Sequence, residues 1–374
     1  MIVRDGFGLF SLKVSYPALL IADNPACERT LATLTVLDRL VIATHKAGAK
    51  TITLVHSGNP PSLTRTNALG ISVNLTKSIP ALHEPTLLLA GNLVVQETDL
   101  TRVINKQGRL YSRSREALPC GVAMEWDSNL ETTLPTHPKI EAHGVSAMIK
   151  DGLSAIQAED TLWDTMGRES DSVIDHNFNR PVGRIMSKAL IHTSVSPNAI
   201  SVMGTTIGVL AAWCFTCGEA HLMIVGAVLL QLSAVIDCVD GDMARILHKE
   251  TKSGKWIDLG GDQLVHLFLL AGMGVGLYRM AGQTGPTLWL GLGAALGVVL
   301  SFLTILRAEQ SSLPLPGLKK FISKTANRDF SVLLIVLAIA ERVQWFLWIA
   351  LLAVHIFWVY GTWLQWQDEQ EQSQ

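Results

Sequence analysis

From about Asn198 to Trp366 the chain is a series of long apolar runs broken by short polar loops. No other feature restricts its fold as strongly. Crossing a hydrocarbon core takes about 20 apolar residues, and the backbone must satisfy its own hydrogen bonds there, which selects helices. Six spans are expected. They lie in "SPNAISVMGTTIGVLAAWCF", "HLMIVGAVLLQLSAVIDCVDGDMARIL", "DQLVHLFLLAGMGVGLYRM", "GPTLWLGLGAALGVVLSFLTIL", "RDFSVLLIVLAIAERV" and "WFLWIALLAVHIFWVYGTWLQW". Ser196 suits the N-cap of the first and Pro197 its first turn. The fifth has the shortest charge-free core.

Loop charge sets the orientation. Lys249, Lys252 and Lys255 fall between spans two and three, and Arg307, Lys319, Lys320, Lys324 and Arg328 between four and five. The opposite loops hold few cations, so the basic loops and both termini should face the cytoplasm. Trp345, Trp348, Trp358, Trp363 and Trp366 fit an aromatic belt around the last helix. Ahead of the first span, Arg180, Arg184 and Lys188 recur at spacing four among Val182, Ile185, Met186, Ala189 and Leu190. That pattern predicts an amphipathic interfacial helix with its basic side near anionic headgroups. The expected layout is therefore a cytosolic domain over 1–172, an interfacial helix and linker over 173–196, a six-helix membrane domain over 197–367, and a polar tail over 368–374.

A net charge of −2 argues against binding nucleic acid through bulk electrostatics. The N-terminus lacks a basic segment followed by a long apolar one, so no signal peptide is expected. Cys214 and Cys217 form an isolated CxxC at the end of an apolar run, which reads as small residues of a membrane helix.

Carboxylates interrupt this apolar half. Asp237, Asp240, Gly241, Ala244 and Arg245 stand at i, i+3, i+4, i+7 and i+8, on one helical face. Asp258 and Asp262, at i and i+4, share a face of the next helix. A short basic loop makes the two helices antiparallel neighbours, so both acidic faces can converge near the cytoplasmic interface. A lone charge near a helix centre costs roughly 2.5–3.5 kcal/mol on insertion scales. Divalent cations would relieve that penalty. An all-carboxylate set favours Mg²⁺ or Mn²⁺ over zinc, and four aspartates can hold two ions. Gly241 and Ala244 leave room for a nucleotide diphosphate, and Arg245 offers a fixed positive charge to a phosphate oxygen. Intramembrane carboxylates also mark proton or cation pathways in transporters, an alternative that spacing alone leaves open.

Asp237, Asp240, Gly241, Ala244, Arg245, Gly254, Asp258 and Asp262 match D-x2-D-G-x2-A-R-x8-G-x3-D-x3-D at every fixed position. The pattern resembles the signature of the CDP-alcohol phosphotransferase (phosphatidyltransferase) family, over about residues 175–366. The resemblance implies transfer of a phospho-alcohol, of phosphatidyl type, from a CDP-alcohol to an acceptor hydroxyl, with release of CMP, in phospholipid or polar-lipid synthesis. It implies metal binding by Asp237, Asp240, Asp258 and Asp262, with Asp262 also the general base. Asp240, Gly241, Ala244, Arg245, Gly254 and Asn198 of the "SPN" opening would line the CDP site. It further implies a multi-pass protein of the cytoplasmic membrane, if prokaryotic, with its active site facing the cytoplasm, and homodimers are common in the family. Arg307, Lys319, Lys320 and Arg328 are candidates for a cationic acceptor pocket, suited to an inositol phosphate or glycerol phosphate; the alternative is that loop cations reflect orientation and lipid headgroups alone.

Residues 1–175 carry ordinary soluble-domain charge. "YPALLIA", "ERTLATLTVLDRLVIATHKAGA", "KTITLVHSG" and "PTLLLAGNLVV" alternate strand-like and helix-like segments, which predicts an α/β layer with a largely parallel sheet. Their order resembles the sugar-nucleotide (cytidylyl) transferase domain that some CDP-alcohol phosphotransferases carry. Two departures stand out. The loop after strand one, "ADNPACERT", lacks the glycines of a phosphate cradle. Gly91-Asn92 stands where an active domain would show Gly-Asp, and an amide is a poor Mg²⁺ anchor. The domain is therefore expected to be inactive; the alternative is a bifunctional enzyme that makes its own CDP-alcohol.

Overall fold

The computed structural model describes residues 16–167, 171–311, 313, 315–325 and 330–373. The chain divides into two compact units between Met166 and Gly167, slightly before the expected boundary.

The first unit is α/β. Its strands are β1 (Ala18–Ile21), β2 (Thr30–Leu31), β3 (Leu34–Thr35), β4 (Ile52–Val55), β5 (Asn74–Thr76), β6 (Thr86–Ala90), β7 (Leu93–Val95), β8 (Arg109–Tyr111), β9 (Ala117–Ala123), β10 (Lys139–Glu141) and β11 (Ser146–Met148). The helices are α1 (Val36–Lys46), α2 (Thr64–Ala68), α3 (Glu97–Lys106), α4 (Leu130–Thr133) and α5 (Gly152–Asp164). Seven strands form one sheet in the order β10-β8-β9-β6-β1-β4-β5. Strands β6, β1, β4 and β5 run parallel, and β9 runs against both its neighbours. A central parallel strand is covered on both faces, so it reads as a continuous apolar run. Accordingly Leu19, Leu20, Leu87, Leu88 and Leu89 are each at most 1% exposed.

The second unit is helical: α6 (Arg180–Leu190), α7 (Pro197–Thr216), α8 (Ala220–Ile246), α9 (Lys252–Met280), α10 (Thr287–Gln310), α11 (Pro316–Thr325), α12 (Phe330–Ile339) and α13 (Val343–Ser373). Ser196 caps α7 by accepting from the Ala199 amide, with Pro197 in the first turn, as the sequence predicts. Small residues let helices approach closely. A Cβ on Gly291 would lie 2.6 Å from the Cα of Gly274, where α9 crosses α10.

Five helices (α7, α8, α9, α10 and α13) are long and apolar enough to cross a membrane. The expected fifth span appears as α12, with ten described residues. At 1.5 Å per residue it is about 15 Å long, half a hydrocarbon core. Residues 326–329 before it lie outside the described residues. The expected polar tail continues α13 as helix, and buried Asp368 accepts from the Gly317 and Leu318 amides, capping α11.

The helix expected at the interface is α6, but Arg180 does not share an exposed basic face with Arg184 and Lys188. It is 8% exposed, because its side chain turns inward to buried carboxylates. Val182 and Ile185 are exposed.

Candidate metal and nucleotide site

The ends of α8 and α9 carry the motif, and local chemistry fixes both ends. Helix α8 closes in a Schellman motif: the Lys249 amide donates to the Ala244 carbonyl at 2.8 Å and the His248 amide to the Arg245 carbonyl at 3.1 Å. His248 takes the left-handed conformation this requires, at φ 49°. Three residues later Thr251 caps α9, its Oγ1 accepting from the Gly254 amide at 2.9 Å. So short a loop predicts α8 and α9 as packed neighbours, but each packs mainly against α7, which brings their acidic faces to one pocket.

Carboxylate oxygens of Asp237, Asp240 and Asp258 lie within 4.8 Å of one another. Asp240 is 5% exposed and accepts a short hydrogen bond from Ser201 Oγ of α7. Asp262 lines the same pocket one turn further along α9. The pocket spans about 470 Å³, its open mouth included, and Ser201, Thr205, His266, Phe330 and Ser331 also line it. Hard divalent cations bind oxygen at about 2.0–2.6 Å, so ligands around one ion lie within about 5 Å of each other. The observed spacing and the all-oxygen donor set fit such an ion.

Of the residues expected at the CDP site, Asn198, Gly241, Ala244, Arg245 and Gly254 do not line this pocket, but Gly254 and Asn198 are brought together. A Cβ on Gly254 would lie 2.8 Å from Asn198 Oδ1 and 3.0 Å from Thr251 Oγ1. Glycine is thus what allows the opening of α7 to approach the opening of α9, joining two positions 56 residues apart.

Residues 194–358 match the family model described as CDP-alcohol phosphatidyltransferase. Those residues are a CDP-alcohol phosphatidyltransferase domain. The chain is 30% identical over 107 residues to a bifunctional IPC transferase and DIPP synthase of Aquifex aeolicus, covering 29% of this chain and 24% of that protein. It is also 30% identical over 105 residues to an archaetidylinositol phosphate synthase of Pyrococcus horikoshii, covering 28% of this chain and 54% of that one. The matches thus span a quarter to about half of these relatives' own lengths. A solved structure of the Mycobacterium tuberculosis phosphatidylinositol phosphate synthase, in complex with manganese and citrate, overlays with TM-score 0.39 and 19% identity, covering 49% of this chain and 88% of that one.

Within the phosphatidyltransferase domain, the structure adds a carboxylate that helical periodicity passes over. Asp242 of α8 is 2% exposed, and its Oδ1 accepts from Arg245 Nη2 at 2.7 Å and from Arg180 Nη1 at 2.5 Å. Arg245 folds back over Gly241, where a Cβ would meet its Nη2 at 3.3 Å. Burial opposes charge on Arg180, but the Asp171 hydrogen bonds and the Asp242 charge outweigh it and hold its guanidinium above the ordinary arginine range. His266 was legible in principle, since it falls at i+4 from Asp262 on the same face of α9.

The cations expected to form an acceptor pocket are placed differently. Among the described residues, Arg307, Lys319 and Lys320 do not line the aspartate pocket. Arg307 and Lys320 are exposed and Lys319 half-buried. Arg328 lies outside the described residues.

Proposed function

We propose that residues 194–358 transfer a phospho-alcohol group from a CDP-alcohol to an acceptor hydroxyl, releasing CMP. The observation that carries this reading is the convergence of Asp237, Asp240 and Asp258 beside Asp262 in one pocket, on the family motif. Asp237, Asp240 and Asp258 would hold the metal, Mg²⁺ or Mn²⁺, with Asp262 as a further ligand if two ions bind. A bound hard cation supplies neutralisation of the diphosphate charge as it develops.

This chain's own residues account for the rest. Asp262 accepts the proton as the acceptor's O–H bond breaks. The freed oxygen bonds to the phosphorus of the alcohol phosphate, and the bond from that phosphorus to the CMP oxygen breaks. Arg245 contacts the diphosphate, and Asn198, Gly241, Ala244 and Gly254 flank the CDP. Ser201 orients the Asp240 carboxylate through its hydroxyl.

The donor is of lipid type and the acceptor an inositol phosphate. Support comes from the archaetidylinositol phosphate synthase match and from the apolar part of the pocket lining, Leu230, Val265 and Phe330. With α12 as a sixth, short span, the basic loops and the site face the cytoplasm.

The first unit serves a structural or regulatory role. Asn92 is 2% exposed and donates from Nδ2 to the Ile149 carbonyl at 2.7 Å, while its own carbonyl accepts from the Ile149 amide at 2.9 Å. The side chain at the position of a catalytic carboxylate is thus committed internally. Two assays test these readings. Purified protein with CDP-diacylglycerol, inositol phosphate and Mn²⁺ should release CMP and form a phospholipid; no CMP with any lipid-type donor would sink the transferase reading. Residues 1–170 with CTP and sugar phosphates should release no pyrophosphate.

A further inference from the structure

Beside the aspartate pocket, two arginines share one buried carboxylate oxygen, Asp242 Oδ1. The other edge of Arg180 is also committed. Its Nε and Nη2 donate to Oδ2 and Oδ1 of Asp171 at 2.7 and 2.8 Å, a two-point fork of the kind that fixes guanidinium geometry. The signs alternate from Asp171 to Arg180 to Asp242 to Arg245. Relative to apolar residues of similar shape, a buried ion pair adds little net stability, whereas stripping one partner is costly. What such a network supplies is geometry.

That geometry bears on Arg245. An arginine side chain has several rotatable bonds, and holding it in one place costs rotamer freedom each time a ligand is bound. Here one Nη2 contact to Asp242 lays the guanidinium over Gly241, which has no side chain to displace it. Arg180 draws on the same oxygen, so Asp242 can orient Arg245 without neutralising it. Asp171 in turn holds Arg180, 62 residues from Asp242 in sequence, against α8.

We infer that Asp242, held by Arg180 and Asp171, is a positioning residue that presets Arg245 for the diphosphate of the CDP-alcohol. The inference rests on the transferase reading above and gives the motif arginine a partner outside the motif.

Steady-state CMP release in detergent micelles tests it, with donor KM and kcat measured for wild type, Arg245→Met, Asp242→Asn and the double variant. Arg245→Met should raise the donor KM about tenfold, the size of a lost charged hydrogen bond. Asp242→Asn should raise it about threefold to tenfold with kcat nearly unchanged, and should add nothing in the Arg245→Met background. Arg180→Lys, which keeps a cation beside Asp242, should recover most of the KM lost in Arg180→Met.

An unchanged KM in Asp242→Asn, alongside a raised KM in Arg245→Met, would overturn the inference. So would losses that multiply in the double variant. An unchanged KM in Arg245→Met would remove the donor role of Arg245, and the inference with it, while leaving the transferase reading intact. A wild-type protein that releases no CMP would instead defeat that reading. Should Asp242→Asn not fold, the Asp171→Asn/Arg180→Met variant removes opposite charges together. It should show the same KM rise, and an unchanged value there would equally overturn the inference.

Discussion

The two units treat the polar groups at their expected sites in opposite ways. In the α/β unit the strand ends are filled from within. Asn92 is bonded to Ile149 through side chain and backbone alike, and a Cβ on Gly91 would meet Cys27 Sγ and the Ile21 carbonyl at 2.9 Å. Ligands of open α/β sheets bind outside the carboxyl ends of the strands, which is where these groups lie. In the helical unit three carboxylates instead converge on a pocket with an open mouth. Polar groups satisfied by the chain itself hold a fold together, whereas like charges gathered in one place require something from outside. The difference is the one expected between the proposed scaffold and the proposed site.

The sharpest way to break the contrast is at Asp262. Asp262→Asn should lower kcat for CMP release by a factor of about 10²–10⁴, the range for losing a general base. The variant should still elute as wild type in size-exclusion chromatography, and retained activity would remove Asp262 from the proton transfer. Next comes Gly254→Val. Its new Cβ would lie 2.8 Å from Asn198 Oδ1, so the openings of α7 and α9 must part. A donor KM raised about tenfold, equivalent to about 1.4 kcal/mol, is expected from CMP-release kinetics.

The scaffold side should respond in stability and not in chemistry. Asn92→Asp replaces a donor with a carboxylate facing the Ile149 carbonyl and should destabilise the first unit by about 1–3 kcal/mol in denaturant melts. Pyrophosphate release from CTP should not appear. The smallest effect is a pH dependence. Burial pushes the Cys27 thiol up to about 11 from 9.0. Because the folded thiol holds its proton more tightly than the unfolded one, its contribution is intact below pH 9 and is lost as pH rises through 11. Thiol-reagent labelling of Cys27 should accordingly be slow at pH 8 and accelerate only with unfolding.

Short-range chemistry was legible in the sequence, and long-range pairing was not. Ser196 and Pro197 announce the start of α7 because capping is decided within four residues. Helical periodicity groups Asp237 with Asp240 and Asp258 with Asp262, whereas the role of α7 in bringing the two faces together is a long-range pairing. Asp242 escaped the same reasoning: it lies off that face, and its meaning depends on Arg180, 62 residues earlier. For the same reason spacing puts Arg180 on an exposed basic face that it leaves. Helix α12 shows the limit of hydropathy: its composition is fully apolar but for one serine, yet only ten described residues are helical. Lys319 and Lys320, expected in a loop, stand on α11. Charge alone does not place them in a pocket, and these two do not line it.

On the reading proposed above, Asp237, Asp240 and Asp258 hold the metal that CMP release requires. The most direct test is CMP formation from a CDP-lipid as Mn²⁺ is titrated into metal-stripped protein, for wild type and Asp258→Asn. Wild type should be silent without metal and saturate as Mn²⁺ is added, and Asp258→Asn should need far more Mn²⁺ or stay silent. CMP release at an equal rate in metal-stripped protein, or an unchanged Mn²⁺ requirement in Asp258→Asn, would contradict it.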